Sequence, residues 1–216
     1  MKITLTDAGK RFNRDWIFRH LSYEFSSQHH YAITGPNGSG KSTLLQVIAG
    51  AIGISEGRVD YEAIARHTSL DTVAPAAAIP PEKAYHYLSL SAPYLELIEE
   101  MTATEFLQFH HSFKPFLPSH PIPNILSTVG LEAAARKQIR FFSSGMKQRM
   151  KLAQALFSDT SVILLDEPCT NLDAEGIALY QRLIREYGAG RLIIVSSNDR
   201  QEYDFCEKVI NIAEYK

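Results

Sequence analysis

Residues Gly35 to Ser42 read GPNGSGKS. The run fits G-x-x-x-x-G-K-[ST], with Gly35, Gly40, Lys41 and Ser42 at the fixed positions and Thr43 directly after them. Glycines at this spacing let backbone N–H groups wrap phosphates without Cβ clashes, so the whole loop, including Pro36, Asn37, Gly38 and Ser39, is expected to cradle a triphosphate. Lys41 then reaches the β/γ oxygens, and the Ser42 hydroxyl is placed to ligate Mg²⁺. The flanks supply the context the pattern needs. His30–Thr34 (HYAIT) predicts a short buried strand, and Lys41–Ala51 a helix whose N-terminal dipole adds to the anion site. A Gly/Ser turn matching by chance would lack both. The sequence therefore predicts a nucleotide-binding chain.

Working outward, Ser161–Pro168 reads SVILLDEP, an apolar strand ending in two carboxylates. Asp166 at the strand's C-terminal edge is expected to hold the Mg²⁺ shell near Ser42, and Glu167 to polarise the attacking water as a general base. An apolar run ending in Asp-Glu usually marks only where a strand meets solvent. Paired with the phosphate loop it carries far more weight.

The rest of the chain reads as an α/β protein. Lys2–Thr6, Phe18–Phe25 and Gly57–Tyr61 alternate as antiparallel strands, Asp71–Glu82 as a loop, and Tyr85–Ser91 as a further strand. Thr102-Ala103-Thr104-Glu105 has the form of a capping box ahead of a helix, and a proline-rich break separates it from a second helix over Ile125–Lys137. A third helix begins near Met146. Val162–Leu165 and Leu192–Val195 are apolar runs of the kind found in parallel strands, with a helix near Gly176–Tyr187 between them and a last strand at Lys208–Ile212. A single domain is expected: a nucleotide-binding core over 1–94 and 156–216, interrupted by a helical insert over 95–155. The aromatic residues Phe106, Phe109, Phe113 and Phe116 are expected in the core of that insert.

Phe142–Arg149 reads FSSGMKQR, just upstream of the Asp166–Glu167 strand. Ser143 offers a hydroxyl, Gly145 a close backbone approach, and the following helix an N-terminal dipole, a second anion site. The run resembles the LSGGQ signature of ATP-binding cassette (ABC) ATPases. Asn171-Leu172-Asp173 resembles that family's D-loop. Phe12, upstream of the phosphate loop, stands about where the family stacks an aromatic residue on adenine; Trp16 competes for that role, and an edge-strand aromatic with no ligand is the bland alternative. The resemblance spans essentially the whole chain. It implies a P-loop NTPase (RecA-like) core with an antiparallel β subdomain and an inserted α-helical subdomain. It also implies two subunits paired head to tail, each ATP held between one phosphate loop and the partner's Ser143, Ser144 and Gly145, with Asp173 nearby.

Two residues usual in the family are missing. No Gln lies between Lys83 and Phe106, where the nearest polar groups are Ser89 and Ser91, with Tyr94 adjacent. Asn198 stands where the family has a His, and its amide can bond the γ-phosphate but cannot carry a proton charge. Hydrolysis is expected to be retained through Mg²⁺, Lys41 and Glu167, tuned to a slower rate; a binding-only subunit is the rival.

Composition limits the partners. Acidic and basic residues nearly balance, 24 against 22, giving a net charge of −2 and no broad basic face, so no nucleic acid is expected. No apolar run approaches the roughly 18 residues of a membrane span, and the start MKITLTDAGK lacks the apolar core of a signal peptide. Two cysteines, Cys169 and Cys206, make no disulfide framework. The expectation is an ATPase subunit on the cytoplasmic face of the cell membrane, working as a homodimer or with a second ABC subunit on a separate membrane-spanning permease. A lone cassette of this length looks closest to the small exporter-type subunits. Soluble ABC ATPases of ribosome or DNA, and phosphate-loop enzymes without the signature, are the alternatives.

Overall fold

Two sheets organise the computed structural model, which describes residues 1–63 and 77–216. The first is antiparallel, in the order β2-β1-β4-β5: β1 (Lys2–Phe12), β2 (Asp15–Ser26), β4 (Glu56–Ala63) and β5 (Ala77–Ile79). The second is parallel, in the order β6-β7-β8-β3-β9: β3 (His30–Thr34), β6 (Leu88–Ser91), β7 (Val162–Asp166), β8 (Leu192–Ser196) and β9 (Lys208–Asn211). The helices are α1 (Lys41–Ile48), α2 (Ala103–Phe113), α3 (Ile122–Thr128), α4 (Ser144–Phe157), α5 (Ala174–Tyr187) and the short α6 (Arg200–Tyr203).

Period-2 alternation in the central strands divides the interior in two. Ile163, Leu165, Ile193 and Val195 face a core shared with α2, α3, α4 and α5. Val162, Leu164, Leu192 and Ile194 face the opposite core, where Leu44, Leu45 and Ile48 of α1 meet Ile3, Leu5 and Phe18 of the antiparallel sheet. Both faces of the parallel sheet are thus covered, which is why its strands read as unbroken apolar runs. Arg191 is buried at the start of β8 and donates to the carbonyls of Leu156, Ser158 and Thr160, joining the end of α4 to the segment entering β7.

The capping box forms as expected: Glu105 N–H donates to Thr102 Oγ1 at 3.3 Å, and Thr102 N–H donates to Glu105 Oε2 at 2.8 Å. Several boundaries move. The helix read over Ile125–Lys137 is instead α3 over Ile122–Thr128. Gly130 at φ 70° stops it, with Leu131 N–H reaching back to Leu126 O, and only a 3₁₀ turn follows at Glu132–Ala134. Of the loop read over Asp71–Glu82, residues 71–76 lie outside the described residues; Ala77–Ile79 pairs with β4, and a 3₁₀ helix takes Pro81–Tyr87. The strand read from Tyr85 therefore starts only at Leu88.

The aromatic cluster of the insert is split. Phe106 and Phe116 are buried, whereas Phe109 and Phe113 are exposed and stack edge-on against each other. Ala103, Phe106 and Leu107 define the buried stripe of α2, and Phe109 and Phe113 lie beyond its edge.

Candidate functional site

The phosphate loop leaves β3 at the C-terminal edge of the parallel sheet and feeds directly into α1. Gly35, Gly38 and Gly40 all take positive φ, at 143°, 75° and 107°. At Gly40 the requirement is double, because a Cβ would lie 2.3 Å from Ile17 Cγ2 of β2. The first turn of α1 has no side-chain cap and no acidic residue, so its N–H groups stay open to an anion. Lys41 is buried and folds back over the loop, donating from Nζ to Gly35 O at 2.8 Å and Pro36 O at 3.4 Å.

Asp166 ends β7 and pairs in register with Ser196 of β8. Its carboxylate is 2% exposed and faces the hydroxyls of Ser42 and Ser196. Burial raises its pKa, with Glu167 adding to the effect, while those hydroxyls and the Lys41 ammonium pull it down. Asp166 Oδ1 nevertheless has no hydrogen-bond partner. An orphaned buried carboxylate oxygen beside a hydroxyl is a donor set that suits a hard divalent cation such as Mg²⁺.

Glu167 follows in the left-handed region at φ 42°, its N–H bonded to Ser196 O at 2.9 Å, and its side chain is exposed. Asn198, just past β8, approaches the same loop: Gly35 N–H donates to its Oδ1 at 3.1 Å, and its Nδ2 faces Asn37 Oδ1 at 3.4 Å. Lys41, Ser42, Asp166, Glu167 and Asn198 thus converge on one edge of one sheet.

Phe12 and Trp16 part company in the β1–β2 hairpin. Trp16 pairs with Arg11 and lies beneath the Arg11 and Arg19 guanidiniums. Phe12 pairs with Asp15 beside the hairpin turn, while Ile17, which packs against Gly40, is the extra residue of a bulge opposite Lys10 and Arg11. The Phe12 ring is half-exposed with Lys10 Nζ 4.9 Å from its centroid.

Ser143 caps α4, its Oγ accepting from Met146 N–H at 3.3 Å. Ser143, Ser144 and Gly145 share a shallow depression with Asn171, Leu172 and Asp173, not with Gly35–Thr43. Asp173 caps α5 through Gly176 N–H at 2.8 Å. The phosphate loop and the Ser143–Gly145 segment thus lie in separate places on the chain.

Where a Gln was missing, the three candidates behave differently. Ser89 is buried and bonded to Thr160 and Val162, and Ser91 is buried without a partner. Tyr94 instead is half-exposed near Gln46 of α1 and Asp166, and partial burial raises its pKa. Lys151 of α4 holds the adjoining backbone by donating to Ala92 O and Pro93 O. Gln46, Lys151 and Ser196 escape sequence reasoning because each joins the site through a long-range contact with no local pattern.

The family model for ABC transporters matches residues 18–170. The chain belongs to the ABC transporter family. As an ABC chain it is an ATP-binding, ATP-hydrolysing cassette, of a family whose cassettes dimerise and pair with transmembrane partners. It is 30% identical over 205 residues to the cytochrome c biogenesis ATP-binding export protein CcmA of Agrobacterium fabrum, covering 92% of this chain and 89% of that one. In fold it is similar to a putative ABC transporter ATP-binding protein from Pyrococcus furiosus (TM-score 0.80, 18% identity, all of both chains). A second solved neighbour is an ATP-binding cassette seen as a dimer in a post-hydrolysis state with ADP and Pi (TM-score 0.78, 20% identity, 97% of this chain and 94% of that one). No helix among the described residues is long and apolar enough to cross a membrane.

Proposed function

We propose that this ABC subunit hydrolyses ATP within a head-to-tail pair, its Gly35–Thr43 loop closing on the Ser143–Gly145 segment of a partner cassette, and so drives a separate membrane-spanning permease. The observation that carries the reading is the convergence of Lys41, Ser42, Asp166, Glu167 and Asn198 at one sheet edge while Ser143–Gly145 lies in a different depression. One chain with two separated half-sites calls for a second chain to complete each. The dimeric neighbour bound to ADP and Pi supports the same assembly.

In this reading the loop N–H groups and Lys41 hold the β- and γ-phosphates, with Ser143, Ser144, Gly145 and Asp173 of the partner cassette closing over the γ-phosphate. Ser42 and Asp166 hold Mg²⁺, which when bound neutralises phosphate charge. Phe12 stacks on adenine, its exposed ring suiting it better than Trp16, whose indole is taken by two guanidiniums. Glu167 takes a proton from the attacking water as its oxygen bonds to the γ-phosphorus, and the bond to the ADP oxygen breaks. Tyr94 occupies the place of the missing Gln beside Asp166. The segment 95–155 acts as the helical subdomain, and the subunit sits peripherally on the cytoplasmic membrane face. The name of the similar Agrobacterium protein favours export.

Asn198 keeps a bond to the phosphate loop but no titrating proton, so hydrolysis is slow. Asn198→His should raise kcat on the order of tenfold, well below the ~10²–10⁴ of full proton-transfer catalysis. A kcat no greater than wild type in a phosphate-release assay would show that Asn198 does not limit the rate. Partnership is tested by a tagged pull-down from detergent-solubilised membranes of the native cell. A multi-spanning membrane protein in stoichiometric amount is the expected result. Recovery with ribosomes or DNA alone would move the function to the soluble class.

A further inference from the structure

A glutamate that leaves a strand in left-handed backbone needs something to hold it there. Besides the Glu167 N–H bond to Ser196 O, three contacts fix the segment that follows. Gln148 of α4 donates to Pro168 O at 2.7 Å, Thr170 N–H donates to Glu167 O at 3.1 Å, and Cys169 N–H donates to Glu202 Oε1 at 2.6 Å. Glu202, on α6, is 4% exposed. Its carboxylate also lies near the Ser197 hydroxyl, which itself accepts from Asp199 N–H at 2.9 Å. Ser197 directly precedes Asn198, whose amide binds the phosphate loop. The backbone of Glu202 is fixed in turn: Tyr180 Oη donates to Glu202 O at 2.7 Å, and Glu202 N–H donates to Asp199 O at 3.1 Å.

Among the described residues no cation pairs with this carboxylate, and burying one without a cation is costly. An apolar side chain would fill the same space without that cost. What it would lack is an acceptor for Cys169 N–H on a residue whose own backbone bonds to Asp199, where the loop trailing Glu167 meets the one leading from Asn198. We propose that Glu202 is a positioning residue for hydrolysis, tying the Glu167 loop to the Asn198 loop so that the two sides of the γ-phosphate pocket keep a fixed separation. The inference rests on the reading of Glu167 as the base.

Steady-state and single-turnover hydrolysis on the full chain tests it. Glu202→Ala should lower kcat roughly 10- to 100-fold, with KM and nucleotide affinity within about twofold of wild type. Glu202→Gln keeps an acceptor oxygen for Cys169 N–H and should restore kcat to within about threefold. Because Glu202 acts through Glu167, the loss should vanish when Glu202→Ala is added to Glu167→Gln. Wild-type kcat in Glu202→Ala, an equal loss in the Glu167→Gln background, or a loss confined to KM would overturn the inference. If Glu202→Ala does not fold, Ser197→Ala removes the other end of the tie and should lower kcat several-fold; wild-type kcat there has the same force. Wild-type turnover in Glu167→Gln alone would fail the reading of the base itself.

Discussion

Lys41→Ala loses ATP hydrolysis and loosens nucleotide while the fold persists. The ammonium already sits over the loop, bonded to Gly35 O and Pro36 O, with its stem buried. A triphosphate replaces those carbonyls with stronger charge-assisted acceptors. Losing such a contact should weaken nucleotide binding roughly 10- to 100-fold, from the ~1.5–3 kcal/mol of a charged hydrogen bond. Turnover should fall further, about 10²–10³-fold or more, because the charge on the transferring group grows in the transition state. Titration with a fluorescent ATP analogue reads the first effect and phosphate release the second. Normal activity in a folded Lys41→Ala protein would remove the phosphate-loop assignment.

Glu167→Gln separates binding from chemistry. The amide has the size of the carboxylate and its exposed position demands no repacking, so Lys41, Ser42 and Asp166 keep their places. Nucleotide affinity should stay within a few-fold of wild type. Proton abstraction from water is lost, and hydrolysis should drop about 10²–10⁴-fold. ATP held without turnover keeps the two half-sites together, so the variant should accumulate as an ATP-bound dimer. Hydrolysis at the wild-type rate would show that Glu167 is not the base and that another group accepts the proton.

Much of this was legible in the sequence because it is local. The phosphate loop needs glycines where φ is positive and places Lys41 and Ser42 within one turn of helix. The Thr102–Glu105 box likewise spans three residues. Apolar runs gave β3, β7 and β8 almost to the residue. What sequence reasoning lacked was long-range. Glu202 meets Cys169 across 33 residues and Asn198 meets Gly35 across 163. No local period marks a glutamate in a four-residue helix as buried. Choosing between Phe12 and Trp16 needed the Arg11 and Arg19 contacts on the indole, and the early end of α3 needed the geometry at Gly130 to override an extended apolar pattern.

Sedimentation velocity on Glu167→Gln reaches the central claim most directly, since it asks whether ATP joins two of these chains. With saturating Mg²⁺ and ATP the boundary should move to a dimer, and with ADP or no nucleotide it should return to a monomer. A monomer under all three conditions, in protein shown to bind ATP, would contradict a shared-site assembly between two copies of this chain.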